Sequence, residues 1–536
     1  MTKSSARRRS FFSALGFSKT LAQIAEEIRS LYLSDDTPWV IGYSGGKDST
    51  AVTQLVWLAL AGLPPDAKAK KPVYVITTDT LVENPVVAAW VESSLKALRT
   101  AAESEGLPIK GELLPPETAD TFWVNLIGKG YPAPRPGFRW CTERLKIKPS
   151  SRFIERTANR YGEAILLLGA RHAESSVRSA SLDRREVLSK EGLTAHPELV
   201  NTLVYAPIQD WSNDDVWTFL MRVPNPWGQS NKDLMALYRG ATEDNECPIV
   251  VDTSTPSCGN SRFGCWVCTL VDQDKSMKAM IQNDVDKSWM LPLLELRNEL
   301  DFRGDAQRQR DLERRDFRRL KGSPVLNRTG EDLVPGPYTQ EARAEWLTRL
   351  LRAQTTIRRN PNAPAHVRDI ELISHAELQL IRRMWVEDKH EIEDLLPQIY
   401  QSATGEPFLE VQDEAPLLDR DALELLRGAS SGDRLHYETL RNLLHVEHQF
   451  RQGGTTIARR GLFKELEVVI SNGFFTGKDD ALEWAKARAK SVDDVTSSYP
   501  DFRLQSTDGG AVRDTVAAEY LAIGEVPSRP EADHVL

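Results

Sequence analysis

Six residues, Ser44-Gly45-Gly46-Lys47-Asp48-Ser49, break an apolar run that reads "WVIGY" before them and "TAVTQLVWLAL" after them. Two glycines let backbone N–H groups turn toward one point. The first turn of a helix beginning there adds unpaired donors and a positive dipole end. Lys47 supplies a point charge, and the hydroxyls of Ser44 and Ser49 reach the same oxygens. The segment is therefore a cradle for an anion of phosphate size. It is not a Walker A loop, which places four residues between its glycines and Ser or Thr after its lysine; here Asp48 follows Lys47. A strand-to-helix turn capped by Asp48 is the plainer alternative.

The cysteines form a second constellation. There are five: Cys141, Cys247, Cys258, Cys265 and Cys268. An odd number, with four crowded between 247 and 268, is no secreted disulfide framework. Cys265 and Cys268 stand close enough to share one metal centre, Cys258 can reach them around a loop, and Cys141 comes from "FRWCTERLKIKP" upstream. Four thiolates, Cys141, Cys258, Cys265 and Cys268, suit a [4Fe–4S] cluster or a structural zinc, and spacing alone does not choose. The company of an anion cradle favours iron–sulfur. Cys247 is a buried apolar thiol or a replacement for Cys258. Arg139, Arg144, Lys146, Arg171 and Arg178 add five cations, enough for ATP and a second phosphate-bearing substrate. Any one of them alone reads as a surface ion pair.

Positioning these residues takes alternating strands and helices. "WVIGYS" and "PVYVITTDT" are short apolar runs typical of buried parallel strands, and "IKGELL" and "EAILLLGAR" are further strand-like segments. "DSTAVTQLVWLALAGL", "NPVVAAWVESSLKALRTAAESEG" and "SSRFIERTANRYG" carry helical spacing between them, and "SNDDVWTFLMRV" is a capped helix. The fold class is α/β with a parallel sheet. Past Met277 helical patterns dominate, as in "QEARAEWLTRLLRAQTTIRR". The predicted organisation is an N-terminal helix and flexible start over 1–36, the nucleotide domain with its cysteines over 37–276, a mainly helical domain over 277–505 and a partly disordered tail over 506–536.

A formal charge of −9 excludes a uniformly basic nucleic-acid coat but leaves room for a local patch. Between Arg297 and Arg328 ten Lys/Arg stand against six Asp/Glu, with "RRDFRRLKG" the dense part. That run could track phosphates or be a solvated helix face. No apolar stretch is long enough to span a membrane. Arg8 and Arg9 ahead of Ser-Phe-Phe look like a twin-arginine signal, but the apolar stretch ends too soon, at Lys19, so the expected location is the cytoplasm.

The loop at 44–49 resembles the pyrophosphate loop (PP-loop) of the adenine-nucleotide α-hydrolase superfamily, which includes ATP pyrophosphatases, tRNA thiolases and sulfonucleotide reductases. The resemblance implies cleavage between the α- and β-phosphates of ATP, with Ser44, Gly45, Gly46, Lys47, Asp48 and Ser49 on the pyrophosphate. It places Thr78, Asp79, Gly169 and Arg171 at the rest of the nucleotide, Lys47, Asp48, Arg171 and Arg178 in catalysis, and Mg²⁺ on the phosphates. "FRWCTERLKIKP", "LGARHAESSVRS" and "APIQDWSNDDVWTFL" are similar to the PAPS-reductase-like, sulfonucleotide-reductase branch. That enzyme needs a C-terminal thiol, and its cluster form an adjacent Cys-Cys pair; this chain has neither, which argues against sulfate reduction. Together with "SCGNSRFGCWVCTLV" and a long helical second half, the set resembles the DndC family of DNA phosphorothioation sulfurtransferases. Motifs carry that resemblance from about Ser44 to Lys275; beyond, only length and character do. It implies a [4Fe–4S] cluster, a cysteine desulfurase as sulfur donor, other Dnd subunits, and DNA met directly or through those partners. A tRNA thiolase or a nucleotide-responsive, non-catalytic subunit are the alternatives.

Overall fold

The structure, a computed structural model, describes residues 10–68, 70–172, 192–241, 264–320, 322–409, 418, 420–452 and 459–498. Six strands form one sheet: β1 (Trp39–Gly42), β2 (Val73–Thr78), β3 (Ile109–Leu114), β4 (Ala164–Leu167), β5 (Thr194–Ala195) and β6 (Thr202–Tyr205), in the order β3-β2-β1-β4-β6-β5. Every pairing is parallel except the short β5 against β6. The four strands and the helices predicted from apolar spacing are present, and so is the largely helical C-terminal region.

The apolar runs are continuous because both faces of the sheet are covered. Trp39 and Ile41 of β1 enter one layer of the core with helix α2 (Lys47–Ala61), while Val40 enters the other with Ile154 of helix α4 (Lys148–Tyr161). Helix α3 (Pro85–Ser104) makes the crossover from β2 to β3; Asn84 caps it by accepting from Val86 N. Helix α5 (Asn213–Arg222) starts in a reciprocal capping box between Ser212 and Asp215. The chain leaves β1 toward β2 on one side and returns as β4 on the other. The strand order therefore reverses at β1, opening a crevice at the carboxyl ends of β1 and β4. Tyr43–Gly46 and Gly169–Arg171 both lie at that crevice.

A large apolar core joins the two halves of the chain. Phe122, Trp123, Trp140 and Leu145 pack in it with Trp266, Leu293, Trp346, Ile381 and Trp385. Several arginines of the basic run between Arg297 and Arg328 serve this packing, while Arg308 and Arg310 stay exposed. Arg297 is 1% exposed and donates to the Cys268 carbonyl at 3.0 Å. Arg315 is buried on the carbonyls of Gly336 and Pro335, and Arg318 pairs with Asp316 and Glu438 at 2.8 and 2.7 Å. Arg314 pairs with Glu345 and lies over Trp346. The chain folds back onto its own arginines because buried carbonyls and carboxylates need those donors. Among the described residues no helix is long and apolar enough to cross a membrane.

A histidine pair in the helical region sets an acid limit to stability. His390 and His445 meet Nδ1 to Nδ1 at 2.8 Å, so one ring carries the proton and the other accepts it. Burial, then the charge of Arg441, pushes His390 down to about 4. Burial, then His390, His448 and Arg441, does the same to His445. The unfolded chain takes up these protons near 6.5 and the folded chain does not. Stability is therefore full above that value and falls as the pH drops toward 4. The expected result is a melting temperature that declines over this window more steeply in wild type than in His390→Asn; equal slopes would contradict it.

Candidate functional site

The cradle is built as its residue types require. Gly45 has a φ of +71°, and a β-carbon there would lie 2.5 Å from Cγ2 of Val91 on α3. Gly46 precedes the first turn of α2 as its N-cap and has no side chain to cap the turn's N–H groups. The Ser44 and Ser49 hydroxyls stand 3.2 Å apart, and Ser44 N donates to Ser49 Oγ at 3.2 Å. Lys47 Nζ reaches Asp48 Oδ2 at 2.7 Å, and Arg171 Nε approaches Asp48 Oδ1 at 2.7 Å. The second contact is one of charge, without hydrogen-bond alignment. Asp48 thus holds two cations beside the loop. Gly169 makes this possible, because a β-carbon there would sit 2.9 Å from the Asp48 carbonyl carbon. The end of β4 can touch the start of α2 only through glycine.

Two side chains that nothing in the spacing pointed to complete the cradle. Tyr238, on helix α6 (Asn231–Gly240), accepts from Lys47 N at 3.3 Å, and Lys47 Nζ lies 5.9 Å from the centre of its ring. Trp90 on α3 donates to the Gly45 carbonyl at 3.2 Å. Both are aromatic residues on ordinary amphipathic helices, so their sequence signal is that of core.

Thr78 and Asp79 end β2 at the same edge of the sheet. Asp79 N donates to the Leu114 carbonyl, and its carboxylate accepts from Leu81 N at 2.9 Å. Burial, outweighing that bond, raises the Asp79 carboxyl above its ordinary value, and the charges of Glu83 and Glu92 push the same way. A bound cation would relieve that crowding.

The cysteine turn is fastened to this edge. Trp266 N donates to Val82 O at 2.9 Å, Asn84 N to Gly264 O at 3.2 Å, and Cys268 N closes the turn on Cys265 O at 3.0 Å. The Cys265 thiol lies 3.3 Å from the Thr80 hydroxyl, one residue beyond Asp79, and 3.7 Å from Glu83 Oε1. Arg297, from the helical region, holds the Cys268 carbonyl from behind.

Cys141 joins the set by charge. Burial, then the neighbouring Cys268, pushes its thiol up to about 11. Burial, then Glu83, pushes Cys265 up as well, with Cys141 adding to the rise. The charges of Cys265 and Glu83 hold the Lys146 ammonium protonated, and it pairs with Glu83 at 3.5 Å. Desolvated thiols crowded around one point are costly to ionise until a soft cation shares them. The donor set therefore fits a thiolate-bound metal or cluster. Among the described residues no group of three or more His, Cys, Asp or Glu is closed around a single ion, so the fit is one of donor chemistry.

Of the residues singled out from sequence, Ser44 to Ser49 with Gly169 and Arg171 form one cradle, Thr78 and Asp79 flank it, and Cys141, Cys265 and Cys268 gather beside Asp79. Arg178, Cys247 and Cys258 lie outside the described residues. Arg144 points away from the thiols, to Asp120 at 2.6 Å.

Residues 38–270 match the family model of the phosphoadenosine phosphosulfate reductase domain. An uncharacterized protein of Methanocaldococcus jannaschii is 26% identical over 267 residues, 49% of this chain and 42% of that protein, so the chain spans under half the length of this curated relative. Among solved structures, a phosphoadenylyl-sulfate (PAPS) reductase from Candida auris in a phosphate complex shares 14% identity over 39% of this chain and 85% of its own, with a TM-score of 0.24. The U34-tRNA thiolase NcsA from Methanococcus maripaludis, with its [4Fe–4S] cluster, shares 13% over 54% of this chain and 82% of its own, with a TM-score of 0.25.

Proposed function

We propose that this chain, whose residues 38–270 form a phosphoadenosine phosphosulfate reductase-like domain, is an ATP-dependent sulfurtransferase of the DndC type that acts on a DNA backbone phosphate. One observation carries the reading: the Thr80 hydroxyl touches the Cys265 thiol, so the thiols abut the strand end that carries Asp79. A purely structural zinc would have no need of that neighbour.

The residues divide the work. The backbone donors at Gly45 and Gly46, with Lys47 and the Ser44 and Ser49 hydroxyls, hold the pyrophosphate end of ATP. Arg171 faces the same phosphates from the end of β4, and Asp48 keeps it and Lys47 in place; Arg178 is assigned there by motif. With both its oxygens engaged, Asp48 is a poorer ligand for Mg²⁺ than Asp79, whose crowded carboxylate gains from a cation. A non-bridging phosphodiester oxygen attacks the α-phosphorus, pyrophosphate leaves, and the phosphate is adenylated. Sulfur at the sulfide level then displaces AMP, a far better leaving group than the original oxygen. Cys141, Cys265 and Cys268, with Cys258, would hold a [4Fe–4S] cluster, whose chemistry when bound is to carry sulfur or electrons. A cysteine desulfurase as sulfur source, a two-electron reductant such as a dithiol that releases its persulfide sulfur as sulfide, and further Dnd subunits for DNA handling belong to the same proposal.

Mass spectrometry of nuclease-digested DNA and tRNA from host cells tests it. Sulfur-bearing dinucleotides are expected in DNA with the wild-type gene, absent on deletion, and not restored by Lys47→Ala. Loss of a thionucleoside from tRNA with unsulfurated DNA in both strains would make the chain a tRNA thiolase instead.

A further inference from the structure

A cleft of about 470 Å³ opens at the carboxyl end of β3, on the same sheet edge as the cradle and the thiols. Arg144, Lys148, Arg152 and Arg156 line it, against Asp120, Glu117 and Glu155. Its wall is built. Asp120 receives Arg144 at 2.6 Å and Lys148 at 3.4 Å, which fixes two cations side by side. Arg152 reaches only the exposed Glu117, and Arg156 pairs with no carboxylate among the described residues. Lys129 stands behind them. Burial, then the charge of Arg144, partly offset by Asp120, lowers its ammonium to about 8.

The cations continue in a row. Lys148, Arg152, Arg156 and Arg160 follow one another every fourth residue of α4, on one face, at roughly 6 Å intervals from the helical rise. Neighbouring phosphates of an extended strand are spaced similarly. The row ends at Tyr161, 41% exposed, with Arg160 over its ring, a surface on which a base can stack. Its other end runs through the π-helical turn Glu143–Ile147, which sends Arg144 into the cleft and Lys146 toward Glu83 beside Cys265. A strand lying along α4 toward its start therefore approaches the helical turns that carry Cys141 and Lys146.

We infer that α4 and the cleft at its start form the track on which a single DNA strand is led to the sulfur-transfer site. The inference rests on the proposed function for its occupant, and on charge and spacing for its place. The row is made of cations, so binding is set by phosphates and is salt-dependent.

Fluorescence anisotropy with a labelled single-stranded DNA and the full chain tests it, comparing wild type with Lys148→Gln/Arg152→Gln/Arg156→Gln. Arg152 and Arg156 are exposed and Lys148 is half-buried beside Asp120, and an unchanged melting temperature and ATP affinity verify folding. Affinity for DNA is expected to fall at least ~10-fold near 0.1 M salt, with the slope of log affinity against log salt reduced by about 2. Undiminished binding overturns the track. Tighter, row-dependent binding of RNA of the same sequence overturns DNA as its occupant. Row-independent binding with phosphorothioate still made in cells refutes the track alone; row-dependent binding with sulfur-free host DNA refutes the proposed function alone.

Discussion

Gly45→Ala is expected to lower ATP-dependent pyrophosphate release by ~100-fold or more while the chain still folds. Two independent effects converge at this residue. Its φ of +71° is one that alanine adopts at a cost of about 1 kcal/mol. Its β-carbon would also stand 2.5 Å from Val91, on a helix that cannot retreat without disturbing the core. The loop must therefore shift, and an ångström of misplacement in a phosphate cradle costs that order of rate. Gly106→Ala isolates the first effect, because Gly106 has a φ of +62° with nothing within 4 Å of an added β-carbon. That variant is expected to lose about 1 kcal/mol of stability and no activity. Pyrophosphate release and isothermal ATP titration on both proteins give the comparison. Equal activity losses would mean that backbone strain, not collision, governs the loop.

Four of the five parallel strands were legible, the central ones because burial on both faces makes them unbroken apolar runs, while the crossovers keep helical spacing; β6, with Leu203 and Tyr205 only half-buried, was missed. β1 and α2 meet where the glycines say they must. The short antiparallel β5 left no such mark: two residues, Thr194 and Ala195, carry no periodicity. The core that joins both halves of the chain was hidden for another reason. Trp266, Trp346 and Trp385 each look like local helix or turn residues, and only the fold shows that they share one interior.

The site divides along the same line. Residues whose chemistry is local, such as Gly45, Lys47 and the Cys265–Cys268 pair, could be picked out from type and spacing. Residues that act by long-range placement could not. Tyr238 meets Lys47 across 191 positions, and Thr80 meets Cys265 across 185. Charge density left the basic run undecided. "RRDFRRLKG" is the densest basic stretch, yet Arg315 and Arg318 are spent on internal carbonyls and carboxylates. The sparser row on α4, diluted by Glu155 and Ser150, keeps its cations on the surface. What decides is not how many cations a segment holds but how many partners the fold provides for them.

Cys265→Ser is expected to remove the iron–sulfur chromophore. After anaerobic reconstitution, wild type should hold about four irons per chain with broad visible absorbance, and the variant less than ~10% of either, since a buried serine is not a thiolate ligand. ATP binding should persist, because the loop at Ser44 to Ser49 is held by α3 and α6, through Val91, Trp90 and Tyr238, rather than by the turn. Cys265 is the thiol to change first. Burial and Glu83 raise it, Lys146 faces it, and Thr80 ties it to the nucleotide edge. Losing this thiol also breaks the contact that ties the cysteine turn to the strand end carrying Asp79. Lys146→Met separates the two roles. It leaves every thiol in place but removes the charge that favours their ionisation, so iron is expected to bind more weakly and at higher pH, while Cys265→Ser fails at any pH. Stoichiometric zinc in a colourless wild-type protein, lost with Cys265→Ser, would keep the metal site and eliminate the cluster. Full iron content in Cys265→Ser would exclude this thiol as a ligand.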